Sequence, residues 1–448
     1  MISFIHTADL HFGVENYGRV DSITGIHSRL LDFNRAFSFV ISTAIEKQVD
    51  FFLFCGDAYK TANPTPTQQR LLIENLLRLY QASIPVVLIV GNHDLPGSFG
   101  KSNALDIFAH LPIEGFHVIA KPTLLPLQTQ HGTIQIIGIP WPSRNTISLN
   151  KNFNTSSSQT TTIISDSITA IIAKLHTQRD HNLPTILAGH LTASTGLFSG
   201  SEKSATTGQD PLILPSQLAL PGIQYAALGH LHRYQQINPN KTPPVVYSGS
   251  IERIDFGEAR DTKGFCLVTL ENENTNVEFI PTPTRPFIEI TVTLTVDKDP
   301  TEQIIQQIQK YDIQDAVLKL YYILPSEATT PIQMRAIQAA CSTAHYIAGI
   351  IPIIPKKPKS TRSTIATSVS IPEALEQFLK LQNIADLKTQ RIQKKLNQIV
   401  AITEEKIDIT TIMAQFELSE KQPTRVPLPP QHQDFPPPQK SPLDQSYM

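Results

Sequence analysis

Pro85-Val-Val-Leu-Ile-Val-Gly-Asn-His-Asp94 is an apolar run of strand length that stops at a glycine and hands over to three polar, chemically useful residues. The pattern recurs. Asp50-Phe-Phe-Leu-Phe-Cys55 leads into Gly56-Asp57, Thr185-Ile-Leu-Ala188 into Gly189-His190, and Tyr225-Ala-Ala-Leu228 into Gly229-His-Leu-His232. Ile2 to Ile5 reads as a strand that runs on to Asp9 and His11, and Ile134 to Ile139 is a further run. Runs this uniformly apolar fit strands covered on both faces. Between them, Gln69 to Tyr80 places Leu72, Leu76 and Leu79 on one helical face. Strands alternating with helices predict an α/β layered domain. In open α/β sheets, sites form beyond the carboxyl ends of the strands, and all five polar clusters fall there.

The chain has 448 residues, enough for about three domains at the usual size. Lys and Arg number 37 against 39 Asp and Glu. That near-balance excludes a chain that coats nucleic acid by bulk charge, and equally an acidic disordered one. The average hides a basic stretch: residues 341–400 carry nine Lys/Arg against three acids. It can serve DNA or a partner, or be a solvated helix face. Three widely spaced cysteines, Cys55, Cys266 and Cys341, give neither a disulfide framework nor a zinc knuckle. With no secretory signal pattern and no apolar run of membrane-spanning length, the expected location is cytoplasmic and no membrane is expected as a partner.

Downstream the texture changes. Val245 to Ile280 looks rich in hairpins, and Thr282-Pro-Thr-Arg-Pro286 punctuates the chain. The expected division is a first domain over 1–282, a small α+β domain over 286–355, a basic linker over 356–369, a helical hairpin over 370–416 and a Pro-rich disordered tail over 421–448. The second domain reads strand (Phe287 to Leu294), helix (Thr301 to Tyr311), strand (Ala316 to Ile323), then a helix from Pro331. Ser370-Ile-Pro-Glu373 fits a capping box that opens the hairpin. In the tail, 8 of 28 residues are Pro, too many for a packed core. The Ser/Thr-rich stretch Thr155 to Thr162 is expected to be a loop.

The strand-end clusters supply carboxylates, imidazoles and an amide oxygen, a mixture that suits Mn, Fe or Zn better than Ca. Seven or more such ligands are too many for one ion. Two ions about 3.5–4 Å apart, sharing one carboxylate, would use them, and such a pair serves phosphoester hydrolysis. The alternate spacing in Asp9-x-His11 and His230-x-His232 is expected to put each pair on one side of an extended segment. Each cluster alone has a plain structural reading as a turn, a cap or a packed histidine. Their order and common place after strands carry the argument.

As a set, Asp9-x-His11, Gly56-Asp57, Gly91-Asn-His-Asp94, Gly189-His190 and Gly229-His-x-His232 resemble the five motifs of calcineurin-like metallophosphoesterases. Phe12 to Gly18, Gly229 to Gln235 and Tyr247-Ser-Gly-Ser-Ile-Glu-Arg-Ile-Asp-Phe-Gly-Glu258 further resemble the SbcD-type nuclease subunit of SbcC–SbcD DNA repair complexes. The resemblance implies an α-β-β-α layered β-sandwich with a small α+β DNA-binding cap and a C-terminal helical hairpin that docks on an SMC-like ATPase. It implies Asp9, His11 and His232 on one metal, and Asn92, His190 and His230 on the other. Asp57 would bridge them, His93 would face the scissile phosphate, and Asp94 would orient His93 or its loop. Mn2+ is the favoured ion, with Mg2+, Fe2+ or Zn2+ as alternatives.

The activity implied is 3′→5′ exonuclease and hairpin endonuclease action on DNA, by a homodimer within a heterotetramer. Two other readings stand beside it: a stand-alone hydrolase of small phosphoesters, and a non-catalytic scaffold with a degenerate site. Lys60 departs from the pattern, since family members commonly carry His or an acid there; it can meet a DNA phosphate as a point charge or be a solvated loop residue, and the second reading is preferred. Cys55 and Trp141 are read as packing residues. Phe33, Phe37, Val40 and Ile41 form a helical face for either a dimer or the core.

Overall fold

A computed structural model describes residues 1–96, 101–110, 114–143, 157–200, 210–271, 274–325, 331–354, 372–373, 375–376, 379 and 386–403. It falls into two compact units, residues 1–355 and 356–448.

Two six-stranded sheets form the centre of the first unit. One runs Asn274–Pro281, Gly264–Glu271, Ile2–Thr7, Phe51–Phe54, Val86–Ile89, Phe116–Ile119 in spatial order. The other runs Gln235–Gln236, Val245–Tyr247, Tyr225–Gly229, Thr185–His190, Gly132–Ile139, Thr123–Thr129. The strands that lead into the polar clusters are parallel within their sheets: Ile2–Thr7 beside Phe51–Phe54 beside Val86–Ile89, and Thr185–His190 beside Tyr225–Gly229. Their carboxyl ends therefore share an edge.

Strand alternation sorts side chains into three layers. Phe4, Phe51, Leu53, Val87 and Ile89 meet Ile134, Ile136, Ile186, Ala188 and Ala227 between the sheets. Ile5, Phe52 and Leu88 point the other way, under helices Ser28–Glu46 and Pro66–Gln81. Ile137, Leu187, Ala226 and Leu228 face a helix at Ser157–Thr177. That is the expected α-β-β-α order. Thr65 opens the second helix with a capping box, its hydroxyl accepting from Gln68 N–H while Gln68 Oε1 accepts from Thr65 N–H at 2.9 Å. Leu72, Leu76 and Leu79 are all buried.

One expectation is corrected, and one open choice resolves to core packing. Residues 157–162 are helix, not loop. Ile164, Ile168 and Ile172 recur at helical spacing and are buried, and that packing overrides the weak helix preference of the Ser/Thr run. Ser165 and Thr169 hydroxyls hydrogen-bond back to carbonyls four residues earlier. The face built by Phe33, Phe37, Val40 and Ile41 is fully buried against the first sheet, so it is core and offers no dimer surface.

From Phe287 the chain builds a separate parallel sheet of Phe287–Thr293, Val317–Ile323 and Tyr346–Ile353. Helices Pro300–Ile308 and Met334–Ala340 complete it. Ile290, Ile304, Leu318, Leu320 and Ile337 form its own core. Arg285 ties this sheet to the first helix: its Nε and Nη2 donate to the two Asp32 oxygens at 2.8 and 2.7 Å. In the second unit, Asp386–Thr403 is helical. The rest of the expected hairpin, apart from isolated helical positions, lies outside the described residues, as do the linker and tail. No helix among the described residues is long and apolar enough to cross a membrane.

Candidate metal centre

All nine predicted residues meet at the shared strand edge, and three overlapping groups bring ligand atoms within 4.8 Å of one another: Asp9, His11, His232; His11, Asp57, His93; and Asp9, Asp57, His190. Asp57 is the hinge of the cluster. Its Oδ2 lies 3.7 Å from His11 Nε2 and 3.4 Å from His190 Nε2. On one side, His11 Nε2 and His232 Nε2 are 3.1 Å apart. On the other, Asn92 Oδ1 is 2.9 Å from His190 Nε2 and 3.2 Å from His230 Nδ1. Both Asp9 oxygens accept from His230 N–H at 3.1 Å.

The local chain is bent to achieve this. Asp9, His11, Asp57 and His230 all have positive φ, at 55°, 50°, 60° and 103°. The expectation of an extended segment at Asp9-x-His11 and His230-x-His232 is therefore wrong. Each pair turns out of its strand through left-handed residues, which cost roughly 1–3 kcal/mol each and persist only where the surroundings hold them. His230 and His232 accordingly face different halves of the cluster. Gly91 and Gly56 leave no room for a side chain: a Cβ on Gly91 would run into the Asp57 carboxylate, and one on Gly56 into the His190 ring.

The donor set fits cations. His190 donates from Nδ1 to the Cys55 carbonyl at 2.7 Å, so the neutral ring keeps a lone pair on Nε2. That lone pair faces the Asn92 and Asp57 oxygens, acceptors meeting acceptors in a buried place. Burial works against charge at His190, yet Asp57 and Asp9 outweigh it and push the ring up to about 9. Asp57 is drawn well below the usual carboxylate range against the pull of burial, chiefly by His190. Positive charge is thus favoured in the space between them. Burial pushes His11 and His230 down, which favours the neutral ring in both, and His11 Nδ1 is buried with no hydrogen-bond partner among the described residues. Clustered like this, the His and Asp side chains fit a dinuclear divalent-metal site.

Asp94 organises the loops around the cluster. Its Oδ2 accepts from Asp57 and Gly91 N–H at 2.9 and 3.0 Å, its Oδ1 from Ala58 and Tyr59 N–H at 3.0 and 3.3 Å. Burial and the Asp57 charge push this carboxyl up to about 7, opposing those four donors. A protonated oxygen would point a donor at N–H groups, so we assign the carboxylate. His93 is half-buried at the rim, its backbone N–H on Asp57 Oδ1 at 2.8 Å and its Nδ1 on the Lys60 carbonyl at 2.8 Å. Lys60 thus meets the site through its backbone. Cys55 does likewise, while its thiol packs in the core.

Three contributors escape the sequence reading. The Trp141 ring is 4.8 Å from that of His230 and walls the site. Asp210 Oδ2 lies 3.0 Å from His230 Nε2, and Glu258 Oε1 lies 2.8 Å from His232 Nδ1. Glu258 closes the Tyr247–Glu258 stretch of the sequence resemblance. Its one distinguishing signal is a Lys five residues on, which the structure buries beside it.

The calcineurin-like phosphoesterase family pattern matches residues 2–234, a span that holds all nine predicted residues. The chain is 27% identical over 283 residues to the SbcD nuclease component of SbcCD from Staphylococcus saprophyticus, covering 62% of this chain and 69% of that one. It is 28% identical over 275 residues to the corresponding SbcCD nuclease component of Bacillus subtilis, covering 59% and 65%. It is 27% identical over 323 residues to the DNA double-strand break repair protein Mre11 of Methanosarcina mazei, covering 71% of this chain and 45% of that protein, so it spans under half that relative's length. Matched over more than half its length, through every strand-end cluster, the chain belongs to the calcineurin-like phosphoesterase family.

Proposed function

We propose that this chain is a two-metal DNA phosphodiesterase, the nuclease subunit that works with an SbcC-type ATPase on DNA ends and hairpins. The observation that carries the reading is Asp57 Oδ2, which faces one imidazole from each half of the cluster at 3.7 and 3.4 Å. Two ions sharing that carboxylate would lower the pKa of a water and neutralise charge on a phosphoryl group. Mn2+ is the favoured ion. Asp9, His11 and His232 would hold one, Asn92, His190 and His230 the other.

The remaining work falls to the chain. His93 stands at the accessible rim, and the Lys60 carbonyl and Asp57 carboxylate fix its ring and backbone. Its Nε2 can therefore carry a proton to a departing oxygen. Asp94 ties the Asp57 and Gly91 loops together and so sets both against His93. The relatives' names support DNA over small esters, as does the added α+β sheet that Arg285 holds against the catalytic layers. The 3′→5′ polarity, hairpin cutting, homodimer and ATPase partnership belong to the same proposal.

The test incubates the full chain and Mn2+ with end-labelled duplex and hairpin DNA, with and without an SbcC-type ATPase and ATP. DNA cleavage is expected. His93→Asn should keep both ions and lose about 10²–10⁴-fold in cleavage rate. Bound metal with no cut DNA, but with turnover of bis(p-nitrophenyl) phosphate, would favour the small-ester reading instead.

A further inference from the structure

Glu258 lies outside the ligand set, and its polar contacts are with donors. Its Oε1 meets His232 Nδ1 at 2.8 Å. Its Oε2 accepts from Ile254 N–H at 3.0 Å and lies 2.8 Å from Lys263 Nζ. Both Glu258 and Lys263 side chains are fully buried. Lys263 Nζ also donates to the His232 carbonyl at 2.9 Å, so the same ammonium grips the histidine's backbone and its ring partner. A buried Lys–Glu pair is rarely worth its desolvation for stability alone, which directs attention to what the pair holds.

We propose that Glu258, locked by Lys263, is the positioning residue that fixes His232 in its metal-ready tautomer. An ionised Glu258 can only accept, so His232 must carry its proton on Nδ1. The lone pair is then on Nε2, the atom 3.1 Å from His11 Nε2. Carboxylate partners of this kind orient a ligand imidazole and raise its basicity. Asp210 stands in the corresponding place against His230 Nε2, backed by the Thr192 hydroxyl at 3.2 Å. Each half of the cluster thus has its own carboxylate behind one imidazole, and the two do not share a histidine. The inference rests on the two-metal reading above.

The test is Mn2+ uptake by the metal-free full chain, read from the EPR signal of free Mn2+, with no turnover involved. The parent should bind two ions. Glu258→Gln removes the charge but strands Lys263, so the variant that decides is E258Q/K263M, which removes both charges at nearly constant volume. It should bind one ion as the parent does and the other about 10–100-fold more weakly. Adding Asp210→Asn should weaken the second ion as well. Parental affinity at both sites in a folded E258Q/K263M chain overturns the role. An equal loss at both sites overturns it too, since a general effect on the fold would act that way. A parent chain that takes up no Mn2+ refutes the two-metal reading itself, a result distinct from either.

Discussion

His6 carries a sharp prediction about acid stability. It sits in the strand Ile2–Thr7, fully buried, and its ring crosses to the second sheet. Its Nδ1 is 2.9 Å from the Tyr225 hydroxyl and its Nε2 3.2 Å from the Leu228 carbonyl. A neutral ring satisfies both, accepting from the hydroxyl and donating to the carbonyl. Burial pushes its pKa from 6.5 down to about 3. Below pH 6.5 the unfolded chain therefore binds a proton that the folded chain refuses until about pH 3. Stability contributed by His6 is complete above 6.5 and is lost as pH falls through that window. Between pH 6.5 and 5 the loss is roughly 1.5 units at 1.36 kcal/mol each, about 2 kcal/mol. His6→Gln isolates it, because the amide can donate to Leu228 and accept from Tyr225 without titrating. Urea unfolding at pH 7.5 and 5.0, in chelator and followed through Trp141, should show the parent losing about 2 kcal/mol more than the variant. Equal losses in the two proteins would refute the reasoning.

Further expectations follow from particular contacts. Arg285→Met removes two charge-assisted bonds to Asp32, but Arg29 at 2.9 Å and Arg35 at 3.1 Å still hold that carboxylate, so the cost should be about 1.5–3 kcal/mol. Adding Asp32→Asn should lower stability further, because buried Arg29 then loses its 2.9 Å carboxylate partner, and paired denaturation curves check this. Gly91→Ala pushes a methyl against the Asp57 carboxylate, so Mn2+ affinity should fall with the far-UV spectrum unchanged. Trp141 is the only tryptophan and lies 4.8 Å from the His230 ring, so Mn2+ binding should quench the chain's fluorescence, and Mg2+ should reverse that by competition.

The three layers were legible because the central strands of both sheets are buried on both faces, which writes itself into the chain as uninterrupted apolar runs. The polar cluster was legible because the parallel strands all end at one edge, so each run is followed closely by its contribution: Asp57 after Phe54, Asn92 after Ile89, His230 after Gly229. What periodicity could not give was the backbone at those ends. Positive φ at Asp9, His11, Asp57 and His230 is imposed by neighbours from other strands, and an alternation rule written for extended chain fails there. The Ser/Thr run at 157–162 misled for the reverse reason: its local preference is weak, and the isoleucines that decide its helix begin only at Ile164.

Asp210 and Glu258 were illegible for a different reason. Neither follows an apolar strand; Glu258 ends a short 3-10 turn, Phe256–Glu258, and Asp210 precedes the two-residue strand Leu212–Ile213. A residue of the central cluster must project from a rigid strand end to meet partners from four other segments, so its position is written in the strand pattern. A residue that only backs an imidazole needs one contact and can arrive on any loop. Carboxylates that back an imidazole are therefore those that strand patterning is least able to mark, and one paired with a buried lysine, as in Glu258 and Lys263, is recognisable only once the fold has brought a histidine against both.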